Sequence, residues 1–484
     1  GVVGARRLSR RSPMKRVARN ATLSWLAGSL VGVAALALWV PALWTPFWGD
    51  DYVFLLGAHA TNASGAPWWS DFWPASPVRF WRPLSQEAYW RFVDAVLHGN
   101  AFAAHGANLA LHVSASLGVA LLALRVARAC AWAGPGRIAA LAGVAYAALT
   151  MHLLPVHWVA AANTALLTLF TTLALAAWVS ARDARGIGRV ALLTSVPVLL
   201  VLALLCKESA ALTPGLMLVV AAFVGLRRPF KGEIATWLTT VVVVLAWLVL
   251  RARFTANTDA AYELSLGGHV VRNTASFAAW LLNVPREAMR MAVAGDRLPG
   301  LAWIAATALP MLAAWALAFW HSRAALAPRQ WLALPVFAVL AYAPYFLFAW
   351  NSYEYYAAVA FILPIIALAR GIVDTPRAPV VAALIAVSSW IAVEGTRRLD
   401  HPRLIGRARW AEATLQVLER KSSPALPLHV SVADEQRFYA IGAWGLAWRL
   451  GIPLQSIGIA RECPATGPCL VIDYQGVIRW REAH

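Results

Sequence analysis

Long apolar stretches separated by short polar segments dominate the chain. About eleven stretches of roughly 17 to 25 mainly apolar residues are long enough to cross a hydrocarbon core as α-helices. They begin near Ala21, Gly106, Arg137, Trp158, Val190, Ser209, Ile234, Ala302, Trp331, Tyr355 and Pro379. The pattern predicts an α-helical polytopic membrane protein with about eleven transmembrane helices.

Composition agrees with this class. Hydrophobic residues make up 60% of the chain, charged residues make up 13%, and the mean hydropathy is +0.60, which is more apolar than a soluble domain of this size. The formal charge of +19 would also suit a nucleic-acid-binding protein. The basic residues are spread over alternate loops, however, rather than gathered into one groove. We therefore expect contacts with membrane lipids and no nucleic-acid partner.

The basic residues also predict an orientation, because Lys and Arg accumulate in cytoplasmic loops. A cytoplasmic N-terminus places every basic loop on the same side: those with Arg125, Arg128 and Arg137, with Arg182, Arg185 and Arg189, with Arg227, Arg228 and Lys231, with Arg323 and Arg329, and with Arg370 and Arg377. The outer side then receives the C-terminal tail and segments 44–105, 152–157, 207–208, 251–300 and 351–354. The first apolar stretch is interpreted as a retained span rather than a signal peptide, because it is long and lacks a small-residue cleavage site.

The outer segment 44–105 is long enough to contain helices of its own. Pro83 opens a pattern in which apolar residues recur every four positions up to Val96, and Gly99 is a plausible stop. This predicts a helix lying along the membrane interface. Five tryptophans of the segment predict an aromatic belt at headgroup level: Trp68, Trp69, Trp73, Trp81 and Trp90. The alternative for each is anchoring in the membrane without a part in catalysis.

A polar segment follows the last span, and the chain divides accordingly into a membrane module, residues 1–396, and a tail, residues 397–484. The tail alternates strand-like stretches at 428–432 and 469–473 with a helical stretch at 436–450, which predicts a small extracytoplasmic α/β domain. Cys463 and Cys469 favour a disulfide on an oxidising face, since no further Cys or His is close enough in sequence to form a metal site. Cys130 and Cys206 are expected to be small buried residues.

Several short motifs follow one another in the first half of the chain. The acidic pair Asp50 and Asp51 is followed by Phe80-Trp-Arg-Pro-Leu84, by residues 99–100 and 105–112, and by Lys207-Glu208-Ser-Ala. In order, spacing and predicted sidedness, they resemble bacterial polytopic glycosyltransferases of the GT-C superfamily, akin to protein O-mannosyltransferases and aminoarabinose transferases. The resemblance implies a GT-C-like fold. The chain departs from it at Asn163, where relatives often carry an Arg.

The resemblance implies an inverting enzyme that transfers a sugar from a polyprenyl-phosphate donor to a lipid, glycan or protein acceptor at the outer face. The acceptor hydroxyl needs a carboxylate base, which Asp50 or Asp51 can supply; Asp50 is favoured, and a helix cap or an interfacial charge is the alternative for each. The departing phosphate needs cations. The outward-facing candidates are Arg79, Arg82 and Lys207.

Supporting roles fall to residues near these candidates. Glu208 either orients Lys207 or forms an internal ion pair with it. Tyr353, Glu354 and Tyr355 suit sugar recognition, although interface anchoring explains them almost as well. His157 is a further candidate, but histidines beside apolar faces are more often structural than metal ligands. No metal site is predicted. A divalent cation stays possible because the resembled family permits one, although no Asp-rich cluster demands it.

Two other classes fit a polytopic chain. A transporter or flippase predicts charges near the bilayer midplane and an internal repeat, whereas the charges here lie mainly at outward ends and no repeat is visible. An accessory membrane subunit would keep the fold without the reaction, and the retained acidic pair argues against it. The expected location is the bacterial inner membrane, with a cytoplasmic N-terminus and a periplasmic C-terminal domain.

Overall fold

The computed structural model describes residue 33 and residues 36–484, except for residues 226–229, 257–261, 324, 350–352, 400–403, 421–425, 434, 465–468, 473–477 and 482–484. The described chain is mainly helical, with one small sheet near its C-terminal end. Its α-helices are α1 Asp50–Ala63, α2 Tyr89–Ala95, α3 Ala101–Ala129, α4 Pro135–Ala148, α5 Leu153–His157, α6 Ala162–Ala181, α7 Gly186–Leu204, α8 Thr213–Val224, α9 Lys231–Phe254, α10 Gly268–Leu281, α11 Arg286–Val293, α12 Arg297–Ser322, α13 Pro328–Phe346, α14 Ile362–Asp374, α15 Ala378–Arg398, α16 Leu404–Glu419, α17 Glu435–Phe438 and α18 Gly442–Leu450.

Six helices in the described part of the chain are long and apolar enough to cross a membrane. Five of them are α3, α7, α9, α12 and α15. The sixth is the segment Val159–Ala181, which contains α6. A seventh crossing is available if α4 and the following segment Thr150–His157, bent by 59°, form one span. These helices confirm the predicted α-helical polytopic fold, whereas the count of about eleven spans stays a prediction.

Some predicted spans differ from the observed helices. The stretches expected from Ser209 and Tyr355 form α8 and α14, which have only 12 and 13 residues. Each begins after a 3₁₀ turn, Glu208–Leu212 and Glu354–Ala357 respectively, so the polar turn takes up the first part of the predicted span. The stretch near Ala21 lies largely outside the described residues.

The helix predicted from Pro83 is present in two parts. A π-helical turn, Pro83–Ala88, leads into α2, and the chain then turns at Gly99, whose φ of +61° is a conformation that favours glycine. The next residue, Asn100, caps α3 by accepting a hydrogen bond from the Ala103 backbone N–H at 3.0 Å. Local sequence signals therefore set the start and end of this helix as predicted, whereas its place along the membrane interface stays a prediction.

The predicted belt of tryptophans is only partly correct. Trp68, Trp69 and Trp73 are exposed, as a belt requires, but Trp81 and Trp90 are buried. Trp90 packs against Phe47, with their ring centroids 6.2 Å apart. Assigning Trp81 and Trp90 to the lipid interface is therefore wrong, because their large apolar rings are buried in the protein core instead.

The tail contains the small α/β sheet that the sequence predicts. Its strands are β1 Leu428–Val432, β2 Ile457–Ala460, β3 Cys469–Ile472 and β4 Ile478–Arg481, arranged in the order β2-β1-β3-β4. β1 is parallel to β2 and β3, and β4 is antiparallel to β3. A disulfide joins Cys463 and Cys469, as expected.

The tail shares a hydrophobic core with the outer segment. Buried residues from both parts of the chain form one cluster, among them Leu55 of α1, Trp90 of α2, Leu415 of α16, Leu446 of α18 and Leu470 of β3. Contacts therefore cross the predicted boundary between residues 396 and 397, which itself stays a prediction. The tail lies directly against the helix that begins with the acidic pair.

Candidate functional site

A cavity of about 500 Å³ lies where the outer segment, the loop after α9 and the tail meet. This volume is in the range of small-ligand sites. The polar and aromatic residues that line it are Asp50, Phe54, Arg79, Phe80, Arg82, Gln86, Glu87, Trp158, Asn163, Tyr262, Tyr355, Tyr439 and Trp444. Residues far apart in sequence thus share one cavity, and most of them belong to segments that the charge pattern assigns to the outer side.

Asp50 supplies a carboxylate to this cavity. It is the first residue of α1, it is half-buried, and its Oδ1 accepts a hydrogen bond from the Tyr439 hydroxyl at 2.9 Å. Burial raises the pKa of Asp50, while the Tyr439 hydrogen bond and the positive charge of Arg79 oppose that increase. The N-cap position is held by Gly49, and the Asp50 side chain makes no capping hydrogen bond. The cap alternative therefore does not describe Asp50.

Asp51 has a different environment although it is the next residue. Its side chain is fully buried and is absent from the cavity wall. Oδ2 accepts the Trp48 backbone N–H at 3.1 Å, and Oδ1 accepts the Ala160 backbone N–H at 2.8 Å. Burial raises the pKa of Asp51 well above its ordinary value, against the effect of these two donors. Asp51 thus fastens the start of α1 to the turn Val159–Ala161.

Arg79 and Arg82 provide the cationic part of the cavity wall. Arg82 donates from Nε and Nη2 to the Glu208 carboxylate at 3.0 and 2.7 Å, and its guanidinium lies 4.3 Å from the centre of the Phe80 ring. Glu208 is therefore the partner of Arg82. This differs from both alternatives considered from the sequence, in which Glu208 acts on its neighbour Lys207.

Lys207 lies behind the cavity rather than on its wall. Its buried Nζ donates to Thr164 Oγ1 at 2.9 Å and to Asn163 Oδ1 at 3.3 Å, and lies 4.7 Å from the centre of the Tyr355 ring. Burial lowers the pKa of Lys207 well below its ordinary range, and the nearby positive charge of Arg82 lowers it further. Lys207 lines a space of only about 10 Å³, enough for about one water molecule. Tyr355 lines both spaces and separates them.

Of the other supporting candidates, only Tyr355 lies on the cavity wall, whereas His157, Tyr353 and Glu354 do not. His157 is buried, with Nδ1 2.9 Å from Thr45 Oγ1. Tyr353 packs against the Arg286 guanidinium, 3.9 Å from its ring centre. Glu354 is fully buried, and burial raises its pKa to about 7. Of the predicted group of Tyr353, Glu354 and Tyr355, the cavity wall includes Tyr355.

Metal ligation finds no support in the arrangement. Across the described residues, no group of three His, Cys, Asp or Glu side chains is placed to hold a metal ion. Buried Asp51 has both carboxylate oxygens bonded to backbone amides. Within the described residues, the protein alone therefore supplies no set of three ligands for the divalent cation that the sequence resemblance permits.

Comparisons with known proteins support the fold. No protein-family model and no curated protein matches the sequence. The apo structure of ArnT from Cupriavidus metallidurans aligns over 93% of this chain and 93% of its own, with a TM-score of 0.51 and 14% identity. The archaeal oligosaccharyltransferase AglB from Archaeoglobus fulgidus, in complex with an inhibitory peptide and a dolichol-phosphate, aligns over 92% of this chain and 65% of its own, with a TM-score of 0.51 and 11% identity.

Both proteins are members of the GT-C superfamily. This chain has a GT-C-like fold. The finding confirms the fold that the sequence resemblance implied, and it covers 93% of the chain rather than only its first half. At 14% and 11% identity the likeness is one of fold. Within the GT-C-like fold, the chemistry must be argued from the cavity itself.

Sequence reasoning missed several aromatic residues of the cavity, three of which come from distant segments. Tyr262 comes from the loop after α9, and Tyr439 and Trp444 come from the tail. Tyr262 lies 4.8 Å from Phe80, measured between ring centroids. The tail residues could not be found from motif order, because the matching motifs end in the first half of the chain.

Proposed function

We propose that this protein is a membrane glycosyltransferase that moves a sugar from a polyprenyl-phosphate carrier to an acceptor hydroxyl at the outer face of the membrane. One observation carries the proposal: a half-buried carboxylate, Asp50, and two arginines, Arg79 and Arg82, line the same cavity. The cavity thus combines a candidate base with cations suited to a phosphate.

The reaction requires one bond to form and one to break. The acceptor oxygen attacks the anomeric carbon as its proton passes to Asp50, and the bond from that carbon to the phosphate oxygen breaks. The polyprenyl phosphate leaves with the bonding electron pair and an added negative charge. Attack opposite the leaving group inverts the anomeric centre. Asp51 is a poor alternative base, because its two oxygens already accept backbone N–H groups.

The arginines are assigned to the departing phosphate. Glu208 engages Nε and Nη2 of Arg82, which holds the planar guanidinium in one orientation and leaves Nη1 for a phosphate oxygen. Arg79 adds positive charge beside Asp50. Lys207 would reach the phosphate only if the Tyr355 ring moved, since that ring separates its amino group from the cavity.

A lipid-linked donor also fits the setting of the site. The described helices include six that are suitable for crossing a membrane, and AglB, which shares the fold, is in complex with a dolichol-phosphate. We place the protein in the bacterial inner membrane, with the cavity and the tail on the periplasmic side. The acceptor is a lipid, a glycan or a protein bearing a free hydroxyl.

The test is transfer of labelled sugar from a panel of polyprenyl-phosphate sugars by purified protein in lipid. Asp50→Asn should abolish turnover while the protein still binds the donor, because the amide cannot take the proton. Asp94→Asn is the matched control. Asp94 belongs to the same outer segment but bonds Asn62 at 2.7 Å, outside the cavity, so its variant should keep wild-type turnover.

Two results would count against the proposal. Full turnover by Asp50→Asn would remove Asp50 as the base. Donor binding without turnover by the wild-type protein, for every donor of the panel, would favour a transporter or an accessory subunit instead.

A further inference from the structure

The tail contributes a side chain to the candidate base itself. Tyr439, which follows α17, donates its hydroxyl hydrogen to Oδ1 of Asp50 across 2.9 Å. One residue further on, the Ala440 carbonyl accepts the Gly49 backbone N–H at 2.8 Å. Two adjacent residues of the tail are therefore bonded to two adjacent residues at the start of α1.

The packing around these bonds leaves little freedom. A Cβ atom added to Gly49 would lie 3.0 Å from Cε1 of the Tyr439 ring, so the ring lies directly against the Gly49 backbone. The flanking residues Phe438 and Ile441 are buried in the core shared by the tail and the outer segment. Tyr439 itself remains partly exposed and lines the cavity. The buried neighbours Phe438 and Ile441 thus hold Tyr439 in place, while its hydroxyl lies at the cavity beside Asp50.

We propose that Tyr439 is a positioning residue for the Asp50 base, supplied by the C-terminal domain. Its hydroxyl occupies Oδ1 and fixes the rotation of the carboxylate, which leaves Oδ2 to take the acceptor proton. The inference rests on the proposed function, and it gives the tail a defined part in the reaction: the active site is complete only when the tail is docked on α1.

Several groups act on the Asp50 carboxylate besides Tyr439. Burial opposes ionisation of Asp50, whereas Arg79 from the outer segment stabilises the ionised form. The charge of Asp50 in turn raises the pKa of its neighbour Asp51. Tyr262, from the loop after α9, is close enough to interact electrostatically with Asp50. Removing the Tyr439 hydroxyl takes away a donor to the ionised form, so the pKa of Asp50 must rise.

The main variant is Tyr439→Phe, with Tyr52→Phe as the matched control. Tyr52 lies on α1, two residues after Asp50, and packs into the same interface with the tail at Gly445, so the control deletes a hydroxyl from that interface without touching Asp50. Tyr439→Phe should lower kcat roughly tenfold with little change in donor KM. The acidic limb of its kcat profile should move to higher pH, because the base works only when ionised.

A second readout needs no turnover. The carbonyl stretch of protonated Asp50, identified by its loss in Asp50→Asn, can be followed by infrared spectroscopy during a pH titration. Its midpoint should lie at higher pH in Tyr439→Phe than in the wild type or in Tyr52→Phe. Equal midpoints in all three proteins would overturn the inference.

The outcomes separate this inference from the function on which it rests. If Asp50→Asn is inactive and Tyr439→Phe keeps the wild-type kcat and pH limb, the positioning role fails alone. If the wild type transfers no sugar from any donor, the proposed function fails and takes the positioning role with it. A loss of kcat shared equally by Tyr52→Phe would also overturn the inference, because it would point to tail docking in general.

Discussion

The ion pair between Arg82 and Glu208 offers a quantitative test of the cavity wall. Replacing Glu208 by Gln leaves a guanidinium that has lost a bidentate partner, and replacing Arg82 by Met leaves an unpaired carboxylate. The two side chains keep only 11% and 23% of their surface exposed. The pair therefore lies between the exposed class, worth less than about 1 kcal/mol, and the buried class, in which loss of one partner costs about 3–5 kcal/mol.

This intermediate burial sets the expected magnitude. Each single variant should lower the free energy of unfolding by about 2 kcal/mol, and the double variant by clearly less than the sum, with a coupling energy of about 1–2 kcal/mol. The three short N–O distances, between 2.7 and 3.0 Å, support the upper part of that range. Donor affinity should also fall in Glu208→Gln, because Arg82 loses its fixed orientation.

The assay is reversible unfolding in mixed micelles for the wild type, the two single variants and the double variant. The control cycle uses Arg91 and Asp71, an outer-segment pair whose N–O distances are longer, at 3.3 and 3.4 Å. It should give the smaller coupling energy. Strictly additive effects of the Arg82 and Glu208 variants, with a coupling energy below about 0.5 kcal/mol, would refute the assigned bridge.

Two further predictions concern the neighbouring charged residues. Asp51→Asn should lower the free energy of unfolding by about 1–3 kcal/mol, because an amide nitrogen replaces one oxygen that accepts a backbone N–H. Thermal unfolding should show this loss. A stable but inactive Asp51→Asn protein would instead make Asp51 the base. If the Tyr355 ring moves so that Lys207 reaches the donor phosphate, affinity for a sugar phosphodiester, measured by fluorescence titration, should increase as the pH falls through the lowered pKa of Lys207, because only the ammonium form attracts the phosphate. Lys207→Met should remove that dependence, and an unchanged pH profile in this variant would exclude Lys207 from donor binding.

The sequence predicted best those features that depend on the local periodicity of apolar residues. Residues 428–432 alternate as a strand and form β1, and the helical pattern that opens at Pro83 ends before the turn at Gly99. Helices α10 and α11 were missed, because they are too short to cross a membrane and lie inside a loop identified only by its charges. Span length failed where a polar turn precedes the helix, as at Ser209.

The features that sequence missed depend on distant pairs. Glu208 follows Lys207 directly, yet its partner is Arg82, 126 residues earlier in the chain. The motif pattern could select the acidic pair, but it could not tell which carboxylate reaches the cavity, since that depends on how Trp48 and Ala160 enclose Asp51. Glu354 was chosen for its place in an aromatic turn, although packing directs it into the protein interior.

The shared core of the tail and the outer segment has a consequence for synthesis. Asp50 and Tyr439 are separated by 389 residues, which at 5–20 residues per second corresponds to roughly 20–80 s of translation. During this interval Leu55 and Trp90, which the tail later helps to cover, lack their tail neighbours. A chain interrupted after α15 would keep that apolar surface uncovered, so chaperones and proteases have a direct means of recognising an unfinished molecule.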